Sequence, residues 1–356
     1  MTLRSRWKAL LDSNTNPSFV HYYQWFSSYL ESHEEESSNS FFLVIEFHGK
    51  TIAICPLQYI SKRMFGVCIK TWRIFWPGDM GLNDFIINKD FDRPGVLNIL
   101  IQSLNKKKEK TWHMLELQNV DSSSDILKSL KQEKISRLIS YYHHDSKYIS
   151  CQTSYEKSVA NVSGKFKRNN RRKFRKLEKI GAVSYSLVDS GIELDRAYQN
   201  FLKIEAANWK GRANTAISQN AKQLKFYDRL KDNFGETNQC LIHTLYLNDD
   251  PIAAQFMLHC GNTIFLLKIG YDDRYGPMGP GYILLDETIR KFSQDANIDK
   301  ISFVTGAKWN NNWAPHVSKV YNNYVFNTNL IGLLAYSFLK VKALGRMIKR
   351  KITDLR

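Results

Sequence analysis

Eight residues, Arg274-Tyr-Gly-Pro-Met-Gly-Pro-Gly281, set the terms for this chain: three are glycine and two are proline. Such a stretch folds as a stiff, low-profile bend and not as a piece of helix or strand. Before it, Thr263 to Ile269 is β-branched and apolar and reads as a buried strand. After it, Ile283, Leu284, Glu287, Ile289 and Phe292 recur at helical spacing, which predicts an amphipathic helix opened by Gly281 or Tyr282. In a strand–bend–helix unit, backbone N–H groups of the bend converge on the positive helix end, where phosphate binds, and Arg274 adds a full charge. Two readings stand here, a bend built for geometry alone and a pyrophosphate cradle. The glycine spacing fits neither the dinucleotide fingerprint nor the Walker loop, and no Lys-Ser or Lys-Thr pair follows the last glycine.

A length of 356 residues, 43% apolar, implies two folded domains with ample core. The formal charge is +17, and Lys165 to Lys179 supplies about half of it, with nine bases against one acid. Phe166, Phe174, Leu177 and Ile180 fall on one side of that stretch, which predicts a basic helix docked by a thin apolar seam and stopped at Gly181. Its cations are open to two readings, a solvated face or a contact with substrate phosphates through Arg171, Arg172 and Arg175. No pattern of sequence-specific DNA or RNA reading is present. Cysteines at 55, 68, 151, 240 and 260 form no C-x-x-C pair or zinc spacing, and no metal site is expected. A reducing, cytoplasmic location fits that usage, and the first residues show no secretory h-region.

Along the chain, residues 1–40 read as helical up to an acidic, serine-rich loop from Glu31 to Ser40. Phe42–Phe47 and Thr51–Cys55 then form a hairpin about His48-Gly49-Lys50. A second hairpin, Cys240–Leu247 and Ile252–Leu258, follows two hundred residues later, and both returning strands carry Ile-Ala just after the turn. Each half then continues strand, helix, strand, so the order of elements predicts a duplicated α/β unit. The C-terminal run Leu330–Leu339 is too short to span a bilayer. Cations follow it, so it reads either as a helix packed on the body or as an interfacial helix on anionic lipid.

The bend resembles the coenzyme A pyrophosphate loop of GNAT acyltransferases, usually Arg/Gln-x-x-Gly-x-Gly/Ala. The closer likeness is to the Tyr-x-x-x-x-Pro-Gly variant, met here as Tyr275 to Gly281. That variant belongs to the branch associated with cellulose and exopolysaccharide biosynthesis, which is similar in fold to Fem-type peptidoglycan aminoacyl transferases. Glu205 to Gly211 resembles that branch's Glu-x-x-x-Trp-Lys-Gly box. Its Gly-x-x-x-Tyr-Lys box is shortened and rearranged here to Gly306-Ala-Lys308-Trp309. The resemblance implies an α/β fold, an α+β mixed sheet in tandem GNAT-like domains: 1–150, a basic helical connector at 151–195, a catalytic domain at 196–326 and a tail helix at 327–356.

It also implies an acyl-CoA co-substrate touching Lys268, Ile269, Gly270, Arg274, Gly276, Gly279 and Gly281. Amine attack on a thioester needs a base, and Glu205 or Asp272 is the candidate. Strand amides near Ile269 and Gly270, with Lys268 or Lys308, would meet the oxyanion, and Tyr282 the leaving thiolate. Trp209 and Lys210 would line the substrate. The expected task is N-acylation of an amine, on an amino sugar or related surface-polysaccharide precursor, by a cytoplasmic protein peripheral to the inner membrane face. A Fem-like enzyme drawing an aminoacyl group from tRNA is the alternative, and so is a non-catalytic membrane- or RNA-associated protein.

Overall fold

The computed structural model describes residues 2–64, 66–75, 81–88, 94–107 and 110–353; the side chains of Pro94, Trp209 and 343–353 lie outside that description. In its first half the chain forms α1 (Leu3–Asp12), α2 (Tyr23–Ser32), the single turn α3 (Glu34–Ser37), β1 (Ser40–Phe47), β2 (Lys50–Met64), β3 (Val67–Ile74), β4 (Ile86–Ile87), α4 (Pro94–Lys106), β5 (Met114–Asp121), α5 (Asp125–Gln132) and β6 (Leu138–Ser150). It continues through α6 (Tyr155–Ser158), α7 (Gly164–Glu178), β7 (Val183–Val188), α8 (Gly191–Ala206), α9 (Trp209–Arg212), α10 (Ala221–Gly235), β8 (Cys240–Leu247), β9 (Asp250–Cys260) and β10 (Thr263–Tyr271). Then come α11 (Pro280–Phe292), β11 (Lys300–Ser302), β12 (His316–Phe326) and α12 (Leu330–Thr353).

Two compact units result, each assembled from separate stretches: 1–14, 36–144 and 319–356 in the first, 15–35 and 145–318 in the second. In the first, β1, β2 and β3 run antiparallel, β3 pairs parallel with β5, and β12 returns antiparallel on β5. In the second, β8, β9 and β10 repeat the antiparallel trio, and β10 pairs parallel with β11. The end of β6 then returns antiparallel on β11. A helix, α4 or α11, crosses over between the parallel partners in both. The duplicated mixed α/β unit expected from the two hairpins is therefore present, with β7 added beside β8. Neither unit is a consecutive stretch, because the closing strand of each comes from the other half of the sequence, and the basic α7 falls within the second unit.

Local chemistry explains the hairpins. His48 and Gly49 both have positive φ, 46° and 73°, and form the two-residue turn that matches strand twist. Asn248 takes φ 53° at the second turn, and its Oδ1 accepts from Ala182 N at 3.0 Å. Some expected limits shift. The stretch from Glu31 to Ser40 is not a loop: α2 runs to Ser32, α3 follows, and Ser40 already belongs to β1. Exposed pairs Glu31–Arg229 and Glu34–Lys225 hold that stretch against α10. Strand β4 covers only Ile86–Ile87, and just before it Asp84 Oδ1 accepts from Phe85 N at 2.9 Å.

The core of the second unit sits on both faces of β8–β10. Helix α8 buries Leu194, Tyr198, Phe201, Leu202 and Glu205 at helical spacing. It lies so close to β10 that a Cβ on Gly270 would stand 2.7 Å from Glu205 Cα; only glycine permits that approach. On the other side, Ile283, Leu284, Leu285 and Ile289 of α11 are buried. Helix and strand together fix what lies at the end of β10.

Candidate functional site

The parallel ladder between β10 and β11 covers only Thr263–Phe265 and Lys300–Ser302. Beyond it the two strands part, because the chain turns sharply after Ser302. Thr305 N bonds Phe303 O at 2.5 Å and Val304 takes φ 60°, a conformation that costs a β-branched residue energy and is held by its surroundings. On its other edge β10 carries a bulge, with Leu267 as the extra residue between Leu266 and Lys268. The parting strands open a cavity of about 410 Å³. Leu266–Ile269 wall one side, Phe303, Thr305, Trp309 and Asn310 the other, and Gly276, Gly279 and Gly281 the end. A crevice at the carboxyl ends of diverging parallel strands is where open α/β sheets take ligands.

The bend builds that end wall. Asp273–Met278 forms a 3₁₀ turn capped by Asp272, Gly279 is left-handed at φ 60°, and Pro280 occupies the first helical position. Pro280 has no N–H to satisfy there. The first turn of α11 thus presents its positive end at the cavity. The basic helix reaches the same place: a Cβ on Gly279 would lie 3.1 Å from Lys173 Nζ. Lys173, Lys210 and Lys268 line the cavity and no carboxylate does. Leu177 is fully buried under α7, but Ile180 is 55% exposed and leaves the expected seam.

The residues proposed for catalysis occupy different settings. Glu205, 1% exposed, accepts from Lys210 Nζ at 2.9 Å and from Ile217 N at 3.0 Å. Lys210 also donates to Ile269 O at 3.1 Å, so its third proton is free for the cavity. Glu205 therefore lies behind Lys210. Asp272 caps the bend and takes the Arg274 guanidinium at 2.6 to 3.1 Å. Those bonds hold its carboxyl below the usual carboxylate range, which weakens it as a base, and neither it nor Arg274 lines the cavity. Tyr282 does line it, and its hydroxyl accepts from Asn312 Nδ2 at 3.1 Å. Lys308 is exposed and outside the cavity wall. Trp209 belongs to α9, and its side chain lies outside the described residues. Tyr271, also on the wall, has its phenol pushed up by burial and by Asp273, so it keeps its proton.

Sequence reasoning passed over Lys173, Asn208, Trp309 and Asn310. Asn310 stands out, since it is fully buried on the cavity wall with neither side-chain amide atom hydrogen-bonded. Arg171 and Arg175 line instead a second cavity, about 610 Å³, between α7 and the far face of α11, beside Asp286, Glu287 and Arg290. Arg172 is exposed and donates to Asn169 Oδ1 at 2.9 Å. Among the described residues no cluster of potential metal ligands occurs.

Residues 164–313 match the family model of the acetyltransferase (GNAT) domain, and the matched stretch lies within the second unit. Similar solved structures span nearly the whole chain. FemX is 11% identical with a TM-score of 0.61, covering 94% of this chain and 98% of its own. A conserved protein from Bacteroides thetaiotaomicron is 14% identical with a TM-score of 0.60, covering 92% and 98%. The C-terminal domain of a putative lysylphosphatidylglycerol synthetase from Agrobacterium fabrum is 9% identical with a TM-score of 0.56, covering 94% and 95%. No curated protein matches in sequence.

Proposed function

We propose that the chain moves an acyl group from the thioester of coenzyme A to an amine, in the cavity along β10. One observation carries the reading: a helix N-terminus, a glycine bend and three lysines meet where two parallel strands part. In this reading Gly276, Gly279, Gly281 and Lys173 hold the diphosphate, and the freed edge of β10 holds the arm that bears the thioester. The amine forms a C–N bond as the C–S bond breaks; the amine loses a proton and the thiolate gains one. No carboxylate lines the cavity, so the amine proton leaves through water. Lys210, anchored by Glu205 and Ile269, offers its remaining N–H to the oxyanion. Tyr282 protonates the thiolate. Asn310, on the cavity wall with neither amide atom hydrogen-bonded, is the polar group that meets the substrate on that side.

The acceptor in this proposal is an amino sugar or related surface-polysaccharide precursor. Support for it comes from the likeness of Glu205–Gly211 to the box of the polysaccharide-associated branch. A second reading, transfer of an aminoacyl group from tRNA, is favoured by Lys173, which places the helix of highest charge density against the bend. Thermal unfolding with and without acetyl-coenzyme A tests the main reading. A ligand at a hundred times its Kd stabilises by about 2.7 kcal/mol, and Gly281→Val, whose methyls would reach past a Cβ already 3.6 Å from Ile269 and Tyr271 into the cavity it lines, should abolish the shift. Lys173→Ala should weaken binding by about tenfold, whereas Arg172→Ala should not. Stabilisation by RNA alone, falling steeply with salt, would instead support the tRNA reading.

A further inference from the structure

Helix α12 carries half of the exposed large apolar side chains of the described chain. Its inner stripe, Ile331, Ala335 and Leu339 with Tyr336, packs on Ile69, Met114, Tyr324 and Phe326. Its outer side should therefore be polar. It is not: Leu330, Leu333, Leu334, Phe338 and Val341 are 38–73% exposed, five of the ten large apolar side chains exposed among the described residues. A sixth, Val67, is 39% exposed. Together with Met64, it joins Leu334, Phe338 and Val341 in a groove of about 440 Å³ whose lining has one polar residue, Ser337. Charge follows directly. Lys340 and Lys342 are exposed, and from Leu330 to Thr353 the sequence has six cations and no acid.

We infer that this face, α12 with Met64 and Val67, docks the protein on an anionic lipid surface, acyl chains meeting the leucines and phenylalanine and headgroups meeting the lysines. An apolar stripe flanked by cations binds the headgroup boundary without spanning it, and among the described residues no helix is long and apolar enough to cross a membrane. A second protein copy would match the apolar stripe but would set Lys340 and Lys342 against cations of the same sign.

Flotation of the full chain with vesicles tests it. The protein should float with phosphatidylglycerol–phosphatidylcholine vesicles and stay behind with pure phosphatidylcholine. Lys340→Ala with Lys342→Ala should cut vesicle affinity about 30-fold, at roughly 1 kcal/mol per cation, and added salt should act the same way. Leu334→Glu with Phe338→Glu should cut it by more than about tenfold. Both variants should keep a cooperative melt and the wild type's acetyl-coenzyme A shift, which separates lost docking from lost folding. The inference falls if the wild type ignores anionic vesicles or if both variants float as it does. It also falls if Leu334→Glu with Phe338→Glu merely splits a dimer in ultracentrifugation.

Discussion

His243 shows how one buried side chain ties the site to the fold. It is 1% exposed, and its Nδ1 lies 2.8 Å from Thr288 Oγ1, which lies 2.8 Å from Gln255 Oε1. The three join β8, β9 and the middle of α11, the helix that starts where the bend ends. Burial, with a smaller push from Lys291, lowers the imidazole from 6.5 to about 4. The unfolded chain takes up a proton on this ring near pH 6.5, and the folded one resists until about pH 4. The contribution to stability is thus fully present above pH 6.5 and is lost as pH falls toward 4, in all about 3 kcal/mol. Denaturant unfolding of the wild type and His243→Gln at stepped pH isolates it, since other titrations cancel in the difference. The wild type should lose ground to the variant as the solution is acidified; a difference that ignores pH would assign the network no such role.

At the scale of elements, the contact between α8 and β10 decides where Lys210 stands. A Cβ at Gly270 would press on Glu205 Cα and N at 2.7 and 2.9 Å, and backbone cannot swing aside as a side-chain tip can. Gly270→Ala should therefore cost about 1–3 kcal/mol and lower turnover by moving Glu205, and Lys210 with it, off Ile269. Gly276→Ala meets only a Tyr271 ring atom at 3.9 Å and should stay within about 0.5 kcal/mol; equal melting temperatures for the two would contradict this packing. The same elements show what a sequence can disclose. Strand β10, the bend and α11 were legible because alternation, glycine and proline act within a few residues. The parting of β10 from β11 was not, since it depends on a ladder across 37 residues and on Val304, a β-branched residue in a conformation its type disfavours. Charge counting picked out α7 but not which cation faces the bend. That is settled by the rotation of the helix about Leu177, and it selects Lys173 over Arg172.

For the whole molecule, the exchange of segments makes the two halves of the sequence mutually dependent. A chain cut after Ser150 would leave the first unit without β12, and so without Val325, Tyr324 and Phe326, which belong to its cores. It would leave the second unit without residues 15–35. Phe19, Val20, Tyr22, Trp25, Phe26 and Tyr29 of that segment are all buried, with Trp25 against Phe226 at 5.3 Å and Phe19 against Phe265 at 4.9 Å. Each is worth roughly 1.5–3 kcal/mol when fully buried, so together they match the roughly 5–15 kcal/mol that holds a domain folded. Fragments 1–150 and 151–356 should each melt without a cooperative transition, while the two expressed together should recover the acetyl-coenzyme A shift. A cooperative transition in fragment 151–356 alone would mean that β8–β11 and their helices outweigh the missing aromatic cluster. The exchange would then be an ornament of topology and not a condition of folding.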